Sequence, residues 1–179
     1  MLISNDVDIE LDIEAVASDA SGVISAVDDT YKRLLGLGFE LPPSASPFGA
    51  YVEAVQSDNL LFLSGTLPAI GHEPKYVGRI GAELTSEEGR AATRLAALNA
   101  LAIAKEHLGS LDRIVRVGRL GVMLVTSAEF SEHPKTADAA SELLRDVFGV
   151  DRRPVRLVYG VASLPLGMPV ELDVIFEVL

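Results

Sequence analysis

The chain has 179 residues, 49% of them hydrophobic, and a formal charge of −11, which suits one domain with an appendage and a sizeable core. It has no cysteine, so disulfides, thiolate metal sites and cysteine nucleophiles are excluded. No apolar run approaches the roughly 20 residues of a membrane helix, and the acidic opening "MLISNDVDIELDIE" lacks the basic start of a signal peptide, so a soluble cytoplasmic protein is expected.

The charge is unevenly spread. Residues 1–29 hold eight acids and no Lys or Arg, leaving eighteen acids against fifteen bases in the rest. Residues 1–30 therefore read as an acidic extension and 31–179 as the domain. Non-specific nucleic-acid binding rests on clustered Lys and Arg, and this balance disfavours it.

In chain order, "NDVDIELDIE" alternates strictly, with Val7, Ile9, Leu11 and Ile13 on one side. Period two fits a strand with one buried face; a mobile acidic arm fits it equally well. "SAVDDTYKRLLGLG" predicts a short helix with Val27, Tyr31 and Leu34 on one side. "AYVEAVQSDNLLFLSGTLP" reads as a hairpin turning at Ser57-Asp58-Asn59. A long loop follows, and its glycines fit neither dinucleotide nor P-loop spacing.

"TSEEGRAATRLAALNALAIAKEHLG" is the clearest helix. Thr85 with Glu88 fits a capping box, or Ser86 is the cap. Leu95, Leu98 and Ala102 form the predicted inner stripe, with Ala91 above them, and Gly109 the stop. "RIVRVGRLGVMLV" is a long strand. Arg113, Arg116 and Arg119 differ in parity within it, which suggests edge or interface positions. "EFSEHPKTADAASELLRDVFG" is a second helix, and strands over 155–163 and 169–178 close the chain. The order is strand, strand, helix, strand, helix, strand, strand, an α+β domain with helices covering one sheet face. The apolar strands suggest that the other face is buried against another subunit.

Few constellations carry chemistry. His72, His107 and His133 lie in no metal-like spacing, and Ser64 stands outside a GxSxG elbow, where a strand-end hydroxyl bonding to backbone is the simple reading. Arg156 and Glu171 stand out in an apolar hairpin. They form either a structural ion pair or a site in which the Arg156 fork holds a carboxylate. The bare pattern favours the ion pair.

The spacing of "RLVYGVASLP" and "LGMPVE", with an arginine nine positions before the proline and a glutamate six after it, resembles the C-terminal signature of the RidA/YjgF family. "PFGAYVEAVQSDNLLFLSGTLP" resembles its N-terminal hairpin, and the two helices resemble those of a longer branch. The resemblance runs from about residue 34 to the end. It implies a chorismate-mutase-like (ferredoxin-like) mixed sheet with two main helices on one face, assembled as a homotrimer with clefts between subunits. It implies hydrolysis of reactive enamines and imines such as 2-aminoacrylate to 2-oxo acids and ammonia, with no metal or organic cofactor.

Carried over singly, Arg156 binds the substrate carboxylate and Glu171 positions or activates water. Tyr51 and Ser64 line the cleft, and the backbone at Gly65 meets the nitrogen end. Asp138 stands where the family usually has asparagine, at the start of the second helix, and Val158 where it often has cysteine. An ionised Asp138 would oppose a bound anion; as a first-turn acid it would instead serve the helix dipole. A non-catalytic protein that binds small carboxylates is the alternative reading, and an endoribonuclease or translation inhibitor the one the acidic balance disfavours.

Overall fold

The computed structural model describes residues 28–44 and 47–179; the strand expected over residues 7–13 and the helix-face residue Val27 lie outside them. Helix α1 (Asp29–Gly36) starts at Asp28, whose carboxylate accepts the Tyr31 N–H at 2.9 Å, an orphan donor of the first turn. The other Asp28 oxygen takes the Leu111 N–H. Asp112 accepts the N–H groups of Asp29 and Thr30 at 2.9 Å. Reciprocal capping thus fastens α1 to the corner after the long helix. Arg33 adds a bond to Val147 O at 2.7 Å.

Strands β1 (Ala54–Ser57) and β2 (Leu60–Leu63) form the expected hairpin. Its two-residue turn holds Asp58 at φ 51°, a left-handed conformation that Asp and Asn tolerate. The loop beyond contains a two-rung hairpin, β3 (Ala69–Ile70) and β4 (Glu73–Pro74), which carried no periodicity signal. Helix α2 (Ser86–Leu108) has Thr85 as its cap in a full capping box, and Gly109 closes it at φ 79°. Strand β5 (Ile114–Leu124), helix α3 (His133–Phe148), strand β6 (Val155–Gly160) and strand β7 (Val170–Val178) complete the chain.

The sheet runs β1-β2-β7-β5-β6, antiparallel except for β5 beside β6. Helices α2 and α3 cover one face. Along β7, Val170, Leu172, Val174, Phe176 and Val178 point at them and are almost wholly buried, the alternation of a sheet with one core face. The helix α2 stripe is met in part. Leu98 and Ala102 are buried as expected, Ala91 and Leu95 are only half-buried, and the buried side also holds Ala92, Ala96, Ala97, Ala100, Leu101 and Ala104. The inner side is thus wider than the expected stripe, and alanines fill much of it, where small side chains permit close packing.

The arginines in and before β5 are not at a sheet edge. β5 is an inner strand, and Arg113 lies in the 3-10 turn before it, bonded to Leu108 O and Leu179 O. Arg116 and Arg119 are three apart yet share the uncovered face, paired with Glu177 and Asp173 at 3.1 and 3.2 Å. A register shift between Val117 and Arg119 inserts one residue, and such a bulge reverses side-chain parity. On that uncovered face Val55, Phe62, Val155, Leu157 and Tyr159 stand exposed, Val155 at 73%. No helix among the described residues is long and apolar enough to cross a membrane.

Candidate active site

The hairpin register builds the first wall. Ala54 faces Leu63, so one step outward Glu53 faces Ser64. The Ser64 N–H donates to Glu53 O at 2.9 Å, and the Ser64 hydroxyl donates to Glu53 Oε2 at 2.5 Å. The hydroxyl bonds to a carboxylate, not to backbone as the simple reading had it. Beyond Ser64, Thr66 and Leu172 exchange backbone hydrogen bonds, both 2.9 Å, and this lays Gly65 against Glu171. A Cβ on Gly65 would stand 1.9 Å from Glu171 Oε1, so only glycine leaves the carboxylate its place. From α2, the buried Asn99 amide donates to Leu67 O and Ala69 O at 2.7 and 2.8 Å. It ties down the loop behind the wall.

These elements enclose a cleft of about 570 Å³. Ser64, Gly65 and Leu67 line it together with Phe48, Tyr51 and Val52. The 3-10 turn Pro165–Gly167 adds Pro165 and Leu166, the latter at φ 55°. The Tyr51 hydroxyl accepts the Phe48 N–H at 3.0 Å, which fixes the ring. Glu171 is half-buried in this cleft. Among the described residues its carboxylate has no hydrogen-bond or ion-pair partner, and burial pushes it above the usual carboxylate range. Among the described residues no Lys or Arg lines the cleft.

Arg156 and Asp138 lie elsewhere. Arg156 sits beside Leu120, which pairs with Val174, so its side chain leaves the sheet on the helix-covered face. Glu171 sits beside Met123, which pairs with Tyr159, on the uncovered face. The expected Arg156–Glu171 ion pair does not form, because parity separates the two residues across the sheet. Arg156 instead pairs with Asp138: its Nη1 donates to Asp138 Oδ1 at 2.7 Å and to Ser141 Oγ at 3.0 Å. The Nε and Nη2 edge has no hydrogen bond among the described residues. Asp138 is the sixth residue of α3, past its first turn, so it meets an arginine and not the helix N-terminus.

The cleft thus unites Tyr51, Ser64, Gly65 and Glu171 out of the six predicted site residues. Arg156 and Asp138 form a second group with each other. Sequence reasoning missed Glu53, Asn99 and Ser141. Glu53 was readable, since a two-residue turn at Asp58-Asn59 sets the register that puts it opposite Ser64. Nothing in the pattern marked Asn99 or Ser141. No group of three or more His, Asp or Glu side chains among the described residues could hold a metal ion.

Comparison with known proteins bears on this geometry. Residues 31–177 match the family model "YjgF/chorismate_mutase-like, putative endoribonuclease". Protein TCP17 of Trypanosoma cruzi is 40% identical over 159 residues, covering 88% of this chain and 96% of that protein. The crystal structure of Atu1372 from Agrobacterium tumefaciens, a protein of unknown function, is 35% identical with a TM-score of 0.77, covering 83% of this chain and 92% of that one. A Shewanella oneidensis MR-1 crystal structure, called a "putative endoribonuclease", is 36% identical with a TM-score of 0.80, covering 83% and 99%. With a mixed five-stranded sheet under two helices and a family model matched along nearly all the described residues, the chain belongs to the YjgF/RidA, chorismate-mutase-like family.

Proposed function

We propose that this protein hydrolyses reactive enamines and imines such as 2-aminoacrylate to 2-oxo acids and ammonia. The observation that carries the reading is the cleft in which a half-buried, unpartnered Glu171 lies against Gly65 with Ser64 and Tyr51 beside it. The enamine tautomerises to the imine. Water then adds to the imine carbon, the carbinolamine loses its nitrogen as ammonia, and a carbonyl remains. One water enters and one ammonia leaves, with no change of oxidation state and no cofactor.

Glu171 takes the proton of the attacking water and returns it to the departing nitrogen. Its upward shift suits this work, because a stronger base takes the water proton more readily. Such assistance is worth about 10²–10⁴-fold, and holding water beside the imine carbon adds the entropic part. The backbone at Gly65 and the Ser64 oxygen receive the nitrogen end. Arg156, through its Nε and Nη2 edge, binds the carboxylate bidentately.

Arg156 and Glu171 leave opposite faces of one sheet, so in this reading they act on one ligand from two copies. The exposed apolar residues of the uncovered face support burial against further copies, and a homotrimer is the assembly proposed. The test is to generate 2-aminoacrylate enzymatically and follow pyruvate release. Acceleration by the wild type, lost in Glu171→Gln and Arg156→Ala, is the expected result. Equal rates with and without the protein would overturn the reading.

One observation favours a second reading. The Arg156–Asp138 ion pair weakens the pull on a ligand anion, which suits a protein that binds a small carboxylate reversibly without turnover. Calorimetry showing pyruvate binding in a preparation without hydrolytic activity would support that role instead.

A further inference from the structure

Glu53 lies behind the cleft wall rather than in it: Ser64 lines the cleft, while Glu53 lines the adjoining recesses on the far side of Tyr51. Its carboxylate can only accept, so the Ser64 proton is committed to Glu53 Oε2. The Ser64 oxygen is thereby left as an acceptor, and its remaining lone pairs are available to the cleft. The backbone bond from Ser64 N to Glu53 O, on the same pair of residues, fixes their separation. A charged acceptor behind a hydroxyl also makes that hydroxyl oxygen more negative, by the polarisation that runs along hydrogen-bond chains. Glu171 adds a second negative group, and among the described residues the same chain lends the cleft no Lys or Arg; in the proposed reaction the neighbouring copy's arginine is engaged by the ligand carboxylate, away from the nitrogen.

We infer that Glu53 is a positioning residue that holds Ser64 as a hydrogen-bond acceptor, so that the cleft takes its ligand's nitrogen in the protonated form, as iminium or ammonium. This rests on the proposed imine hydrolysis and deepens it. The iminium carbon is the more electrophilic one, and a site that accepts hydrogen bonds from nitrogen raises the fraction in that form. A neutral hydroxyl free to rotate would donate to the unprotonated nitrogen as readily as accept.

The test has two arms on the intact protein. In the first, calorimetry compares L-alanine, whose α-nitrogen is an ammonium, with lactate, which carries a hydroxyl there. The wild type should prefer alanine at least several-fold. Glu53→Ala should lose most of that preference, and Glu53→Gln, whose amide oxygen still accepts from Ser64, should keep part of it. In the second, Glu53→Ala, Ser64→Ala and the double variant are compared for kcat/KM on enzymatically generated 2-aminoacrylate. Each single change should lower it about tenfold, and the double should cost no more than either, as expected for two groups acting as one unit. Melting curves identify any variant that fails to fold, and Glu53→Gln then carries the comparison. Equal wild-type affinity for alanine and lactate, or additive losses in the double variant, would overturn the inference. A wild type that hydrolyses nothing but prefers alanine, with the preference lost in Glu53→Ala, would sink the proposed reaction and leave the inference standing.

Discussion

Replacing Asp138 by asparagine removes one charge and little else. The side chain keeps Oδ1 as the acceptor for Arg156 Nη1, now 2.7 Å away, so the clasp on the guanidinium survives. What disappears is a negative charge near any anion bound to the opposite edge. A carboxylate held bidentately there would lie roughly 6–7 Å from the Asp138 oxygens, given the span of a guanidinium and two hydrogen bonds. Coulomb's law gives about 0.6 kcal/mol at the dielectric of water and about 2.6 kcal/mol at an effective value near 20. The Asp138 side chain is 46% exposed and that of Arg156 25%, so screening sits between those limits. About 1 kcal/mol follows, a roughly fivefold change in affinity. Asp138→Asn should therefore bind pyruvate about fivefold more tightly than wild type at low salt, with the advantage shrinking at high salt. Isothermal calorimetry at both salt concentrations reads this out. Unchanged or weaker binding at low salt would refute the picture of Arg156 gripping a ligand with its free edge while Asp138 holds the other.

Three further outcomes follow from the cleft. Gly65→Ala drives a methyl into the Glu171 carboxylate; the flexible glutamate swings away, so the melting temperature should move little while kcat falls tenfold or more. Glu171 has its folded pKa raised above the ordinary value of 4.5 by burial, so the folded state holds a proton that the unfolded state has already lost. Stability must then fall as pH rises from about that value through the folded pKa, and the deficit persists above it. Glu171→Gln should accordingly melt higher than wild type at pH 7 and lose that lead in acid, while wild-type activity should fade on acidification at a pH above the ordinary carboxylate range. Asn99→Leu strands the carbonyls of Leu67 and Ala69, which should cost about 2–3 kcal/mol, or roughly 5–10 °C by thermal denaturation.

The sequence carried the order of elements well, because the strong signals were local. The capping box at Thr85 and Glu88, the stop at Gly109 and the turn at Asp58-Asn59 each satisfy backbone geometry within a few residues. What it did not carry came from parity and from small residues. The insertion near Gly118 brings Arg116 and Arg119 to one face, although counting in twos separates them. On α2 the buried side mixes alanines with Leu98, Leu101 and Leu108, so leucine spacing alone does not trace it. In the site, the bare pattern showed the hairpin but gave Glu171 to Arg156; it was the motif spacing of the family resemblance that grouped Tyr51, Ser64, Gly65 and Glu171, which line one cleft. The partner of Arg156 was not, since Asp138 reaches it from a helix whose rotation over the sheet no local pattern specifies.

The placement of Arg156 and Glu171 on opposite faces of one sheet has a consequence for mixed populations. If each cleft draws its glutamate from one copy and its arginine from a neighbour, two defective chains can repair each other. Arg156→Ala subunits retain a sound glutamate, and Glu171→Gln subunits a sound arginine. Unfolded together in equal amounts and refolded, they should yield assemblies in which about a quarter of the clefts inherit both intact groups. Two silent proteins would then regain about a quarter of wild-type turnover on mixing, as happens when two mutant alleles complement within one gene.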